Sequence, residues 1–328
     1  MSDNELQRQL FNHLRESLPS HLSLVDALCE LLDLSPDSVY RRIRGEKPIT
    51  LTELKRICER YHLSLDQMLQ LENESVIFSA PGLNNGPASM EDYLNGVLKQ
   101  FLYFNSFETK VIRYICKDAP IWYFYLFPEL AAFKTFFWAK TINNQEDLQS
   151  ARFSIKDFPY TSCYQTGQRI LEEYAKLESY ELWNLESIHS TVSQINYYKE
   201  TGIFASRDDE KQVRESLLKL IDHLELQTEE GKKFKAGAGS AVYSAPLHFY
   251  TNELILGSNT ILLSLGNQHL TMVTYRVLSY LITRDPRFFQ SAFANFEILK
   301  SKSSYISRTG EKERIRFFNA MRQRIQQP

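Results

Sequence analysis

Between residues 40 and 47 the chain reads Tyr-Arg-Arg-Ile-Arg-Gly-Glu-Lys, four cationic side chains within eight positions. An arginine fork can bond bidentately to guanine O6 and N7, serine can bond to several base edges, and lysine or arginine neutralises phosphate. The chemistry to weigh is therefore recognition of double-stranded DNA. On a helix advancing about 100° per residue, turning Val39 and Ile43 inward puts Asp37, Ser38, Arg41 and Arg44 on the opposite side, with Tyr40 and Arg42 on the flanks. Ser38 and Arg41 are then the expected base readers. Tyr40, Arg42, Arg44 and Lys47 are better placed for phosphates, which fix register without reading sequence.

Other chemistries find less support. Lys235–Ser240, KAGAGS, holds a G-x-G but lacks the third glycine, the flanking strand and helix, and a Walker lysine, so it reads as a turn. The seven histidines form no HExxH, and His189, among hydroxyl side chains, reads as a surface or hydrogen-bonded residue. No G-x-S-x-G elbow occurs. Cys29, Cys58, Cys116 and Cys163 are too scattered for a zinc site or a disulfide framework and fit a reducing compartment. The expectation is a protein that is not an enzyme, with no catalytic residue, no metal and no cofactor.

The basic stretch needs elements to hold it. Leu6, Leu10, Phe11 and Leu14 make an apolar stripe over 5–17. Ser23 caps a second helix carrying Leu24, Leu28, Leu31 and Leu32, and 33–35 leaves room only for a tight turn. Ser35 and Pro36 start a third helix, which Gly45 can end. Thr50 and Glu53 form a capping-box pair for a fourth, with Leu51, Leu54, Ile57, Cys58 and Tyr61 on its buried side, and 65–71 closes the unit as a fifth. Five short helices with a three-residue turn between the second and third is helix-turn-helix geometry.

Residues 22–69 resemble the Cro/C1-type (XRE, lambda-repressor-like) regulators. Cys29 stands at the small position of the second helix, Val39 at the buried site of the recognition helix, Gly45 at the glycine that ends it, and LSLDQML at the closing helix. Asp33 replaces the usual glycine of the turn, a residue that tolerates left-handed backbone better than most. Arg42 occupies a commonly apolar site, where Ile43 can take over the packing. The resemblance implies DNA binding, usually as a dimer on paired half-sites about one helical turn apart. Ser23 and Thr50 join the expected phosphate contacts.

Composition confines any DNA-binding surface to a local patch. The 328 residues carry 38 Lys and Arg against 40 Asp and Glu, a net charge of −2. Residues 1–72 hold nine cations against twelve anions, yet 40–47 alone are +3. The expected organisation is a helix-turn-helix domain at 1–72, a linker at 73–92 in which Val76–Phe78 can dock on either side, and a domain at 93–328. In that last part fourteen aromatics between Phe101 and Trp138 read chiefly as core. Residues 121–139 are apolar, but the central charges Glu129 and Lys134 would each cost roughly 2.5–3.5 kcal/mol in a bilayer, so no membrane span is expected.

Helices are predicted over 162–200, 207–231, 268–283, 286–299 and 311–325, with two or three antiparallel strands within 241–265: a mostly helical α+β domain with a small antiparallel sheet. The last helix presents Ile315, Phe318 and Ile325 on its apolar side, with Arg314, Arg316, Arg322 and Arg324 around the rest, open to solvent, an anion or an acidic surface of the chain. The N-terminus carries no signal-peptide pattern. Together these readings point to a cytoplasmic transcriptional regulator, a homodimer whose C-terminal domain dimerises or senses an unidentified small-molecule or protein effector. The alternative is a protein-interaction module built on the same scaffold without an operator.

Overall fold

The computed structural model describes residues 3–18, 23–61, 63, 75–81, 89–236, 245–254 and 256–327. The chain divides into two compact units, Met1–Ile77 and Phe78–Pro328.

The first unit is helical: α1 Asp3–Ser17, α2 Leu24–Leu32, α3 Pro36–Ile43 and α4 Leu51–Tyr61. Leu10, Phe11 and Leu14 of α1 meet Leu24, Leu28 and Leu32 of α2, Val39 of α3 and Ile57 of α4 in one core. The predicted stripes are thus the buried faces, except that Leu51 is largely exposed. The fifth helix expected at 65–71 lies outside the described residues.

The second unit is α+β: α5 Met90–Asn105, β1 Lys110–Cys116, α6 Pro128–Phe137, α7 Thr161–Tyr174, β2 Glu178–Trp183, α8 His189–Glu200, α9 Arg207–Glu230, β3 Leu247–Thr251, β4 Thr260–Leu265, β5 Gln268–Arg276, β6 Ser279–Thr283, α10 Pro286–Ser301, β7 Ser304–Tyr305 and α11 Glu311–Gln326. The seven strands form one sheet in the order β6-β5-β4-β1-β2-β3-β7. β1, β2 and β3 run parallel, while β4, β5, β6 and β7 add antiparallel partners at the two sides.

The small antiparallel sheet expected from the sequence is therefore corrected to a larger, mixed one. β1 and β2 lie inside stretches expected to be helical or simply aromatic core, and the helix expected at 268–283 is the hairpin β5–β6. Strand alternation is visible once the faces are known: Ile112, Tyr114 and Cys116 of β1 enter the large core, whereas Ile115 joins Leu182, Leu262, Phe289 and Phe296 under α10. A strand buried on both faces offers no polar face to reveal its period. Gly266, at φ 55°, supplies the left-handed turn between β4 and β5.

The part of the expected linker that is described is partly built into this unit: Ser79 pairs with Ile282, Phe78 packs edge-on against Phe288, and α5 begins at Met90. Residues 121–139 fold as a short 3-10 turn, α6 and a π turn whose side chains are mostly core. Among the described residues no helix is long and apolar enough to cross a membrane.

On α11 Phe317, Phe318, Met321 and Ile325 are buried, but Ile315, expected on the apolar side, is exposed. Its arginines mostly meet the chain itself. Arg322 bonds Asp222 at 2.8 Å and also Glu225, Arg324 bonds Glu186 at 2.8 Å, and buried Arg314 donates to the Ile306 carbonyl at 3.1 Å.

Candidate nucleic-acid interface

The α2-turn-α3 unit is built from local rules. Ser23 caps α2, its Oγ accepting from the Asp26 amide at 3.3 Å. Asp33 ends α2 in left-handed backbone, φ 56° and ψ 51°, and the Leu34 amide bonds back to the Cys29 carbonyl at 3.2 Å. Ser35 starts α3 two residues later: its Oγ accepts from the Ser38 amide at 3.4 Å and donates to Ser38 Oγ at 3.1 Å, with Pro36 at the first helical position. The turn is as short as the sequence predicts because each of its residues closes one helix end or opens the next.

α3 stops at Gly45, whose φ of 76° favours glycine. The Glu46 and Lys47 amides then fold back onto the Arg41 carbonyl at 2.8 and 3.2 Å. α1 holds this bend. Gln7, buried, donates from Nε2 to the Arg42 and Lys47 carbonyls at 2.7 and 2.8 Å and accepts from the Ile49 amide at 2.9 Å. Arg8 adds a bond to the Arg44 carbonyl at 2.9 Å. Gln7 was not singled out from the sequence, because a polar residue beside an apolar stripe reads as solvent-facing.

Arg42 is the main correction to the expected site. Its side chain is 4% exposed; Nε and Nη2 grip both Glu53 oxygens at 3.1 and 2.7 Å, and Nη1 donates to the Ser38 carbonyl at 3.1 Å. Burial raises the Glu53 pKa, but the Arg42 bonds and the Thr50 amide outweigh it, leaving the carboxyl below its ordinary value. A guanidinium whose fork is closed on an internal carboxylate has no free face for phosphate. Arg42 therefore leaves the phosphate set and becomes the tie between α3 and α4. The sequence shows a long cation at a commonly apolar site, but its partner Glu53 stands 11 residues on, on the next helix, where no local pattern links the two.

With Val39 and Arg42 both inside, the outward centre of α3 falls on Asp37, Arg41 and Arg44, and half-buried Ser38 moves to the edge. Arg41 and Arg44 remain 53% and 54% exposed, and Tyr40 is 48% exposed. Lys47 is exposed beyond the bend. Ser23 and Thr50 are exposed at the starts of α2 and α4; Thr50 Oγ1 accepts from the Glu53 amide at 3.2 Å and its own amide donates to Glu53 at 2.9 Å, the predicted capping box.

One acidic residue sits within this surface. Glu46 accepts from Arg44 at 2.7 and 3.2 Å and lies 3.9 Å from Arg41. The hydrogen bond from Arg44 holds the Glu46 carboxyl low, and the same bond raises Arg44. An anion approaching the two arginines competes with this internal carboxylate for the Nε and Nη2 of Arg44.

The arrangement is that of a helix-turn-helix domain: two short helices, a three-residue turn, and a second helix that exposes arginine. Residues 9–92 match the BetR domain, a helix-turn-helix-type DNA-binding domain in regulators. No curated protein and no solved structure is matched by the chain.

Proposed function

We propose that this protein is a sequence-specific, non-enzymatic transcriptional regulator of the cytoplasm, whose α3 enters the major groove in the manner of the Cro/C1 type. Arg41 reads a base edge with Ser38 beside it. Arg44, Lys47 and Tyr40 contact phosphates, together with Ser23 and Thr50 at the flanking helix starts. One such helix spans a half-site, so the reading includes a homodimer on paired half-sites about one helical turn apart. The second unit dimerises or senses an effector. The observation that carries this reading is the exposed Arg41 and Arg44 pair on a helix fixed by the Asp33–Ser35 turn.

Selection from random-sequence duplexes, followed by fluorescence anisotropy of the enriched site, tests it. Arg41→Ala is expected to lose about 1–3 kcal/mol and to relax preference at one base position. Lys47→Ala is expected to weaken all sequences alike and to flatten the salt dependence by about one ion. The competing reading, a protein-interaction module, is favoured by the acidic balance of residues 1–72. It predicts no enriched motif and no steep salt dependence.

A further inference from the structure

A cavity of about 450 Å³ opens in the second unit, and Lys134 of α6 lines it. Lys134 is almost fully buried, yet its Nζ bonds only neutral groups, Thr191 Oγ1 and Gln194 Oε1 of α8, both at 2.7 Å. The Phe124 ring centre lies 4.0 Å from the ammonium and the Trp138 ring centre 5.4 Å away. An ammonium has three N–H groups. Among the described residues two are answered, and no carboxylate stands within ion-pair distance. Burial pushes Lys134 down to about 7, opposed by Asp118.

A buried cation without a counter-ion costs several kcal/mol. In a packed core that is only a penalty, but beside a cavity an anion can reach the ammonium and offset it. Arg276 lines the same cavity and is exposed to solvent, which puts it at the opening; its guanidinium lies over Tyr275 and has no acidic partner among the described residues. Asp118, the one carboxylate on the lining among the described residues, donates its amide to Asn259 at 2.9 Å and accepts from it at Oδ2 at 3.3 Å. Two cations against one carboxylate suit a monoanion better than a phosphate dianion.

The rest of the lining mixes neutral polar groups, Ser190, Gln194, Asn259 and Thr274, with an aromatic and apolar side that includes Tyr93, Ile121 and Tyr280. A second cavity of about 280 Å³, bounded by Phe101, Trp122 and Met272, shares Tyr93, Ile121 and Tyr280 with the first. Volumes of about this size suit small-molecule sites, and the shared Tyr93, Ile121 and Tyr280 give a ligand's apolar body a wall to lie against.

We propose that this cavity binds a small amphipathic carboxylate, its anionic end on Lys134 with Arg276 at the opening and its apolar body against Tyr93, Ile121 and Tyr280. The inference deepens the reading of the second unit as a sensing domain. It implies a ligand whose affinity depends on its charge as well as its size.

The test titrates the full chain with 3-phenylpropionate and with its neutral isostere 3-phenylpropionamide, read by calorimetry and by tryptophan fluorescence, to which Trp138 on the cavity wall contributes. The expected result is saturable binding of the carboxylate, with the amide weaker by about ten-fold or more. Lys134→Met, close in length and free of charge, abolishes that preference, and Arg276→Ala, at an exposed position, weakens the carboxylate several-fold. Thermal unfolding of each variant confirms that it is folded. Equal binding of acid and amide, an unchanged preference in folded Lys134→Met, or no saturable binding of either probe would overturn the proposal. No DNA is present, so failure here removes the ligand site and leaves operator reading intact, while failure of the duplex selection leaves this result standing.

Discussion

Replacing Arg42 separates a structural tie from a DNA contact. Arg42→Met removes the fork on Glu53 and the bond to the Ser38 carbonyl, leaving Glu53, 15% exposed, with the Thr50 amide as its remaining strong donor. Breaking a buried pair on one side costs about 3–5 kcal/mol. Water can reach Glu53, which places the expected loss near the lower end, about 3 kcal/mol. For a domain of this size that is a fall in Tm of roughly 12–24 °C. The assay can isolate the first unit, because all three tryptophans, Trp122, Trp138 and Trp183, lie in the second. Far-UV circular dichroism follows both units and tryptophan fluorescence only the second, so the displaced transition is expected in the first signal alone. Adding Glu53→Gln keeps the capping box and removes the orphaned charge, and is expected to restore about 2 kcal/mol. Below the lowered transition, operator affinity of Arg42→Met should keep its salt slope, whereas loss of a phosphate contact would flatten it by about 0.9. An unchanged melting curve with a flattened slope would refute the tie and return Arg42 to the phosphate set.

Further consequences follow from the same unit and its neighbour. Glu46→Gln frees Arg41 and Arg44 and is expected to tighten duplex binding and steepen its salt dependence in anisotropy titrations; unchanged affinity would mean that Glu46 does not compete with DNA. Gln7→Ala leaves the Ile49 amide and two carbonyls without their partner, at about 1–3 kcal/mol, and hydrogen exchange at Ile49 is expected to accelerate. Because the Glu53 carboxyl is held low in the folded chain, its stabilisation is present above the ordinary carboxylate value and lost as pH falls through the lowered one; acid melts should therefore show the dichroism-only transition falling over that window, less so in Glu53→Gln. Gly167→Ala would set a methyl 2.3 Å from the Tyr125 ring, and overpacking of about 1–3 kcal/mol should lower the fluorescence-detected Tm of the second unit.

The two units differ in how legible they were, and the reason is contact range. In the first, nearly every predicted feature is local: Ser35 on the Ser38 amide and Thr50 on Glu53 are bonds three residues apart, and left-handed Asp33 stands within the turn it makes. Such features are written in adjacent letters. Arg42 and Gln7 escaped because their partners are 11 and 35 to 42 residues away, and only the packed domain brings them together. In the second unit the central strands are hidden for the same reason. β2 is a strand because β1 and β3 flank it, and its interior Glu181 would argue against burial in any window of sequence. That carboxylate is accepted in the core because Tyr123 and Trp183 each donate to it at 2.7 Å and Tyr174 adds a third bond. Lys134 belongs to the same group of residues: an isolated charge in an aromatic run that excludes a membrane span, and in the folded chain the cation of a cavity. Buried charges in this unit thus mark the places where sequence pattern fails: Glu181 is held by neutral donors, Lys233 by the Leu177 carbonyl and Ser179 Oγ, and Lys134 borders the cavity proposed to take a carboxylate.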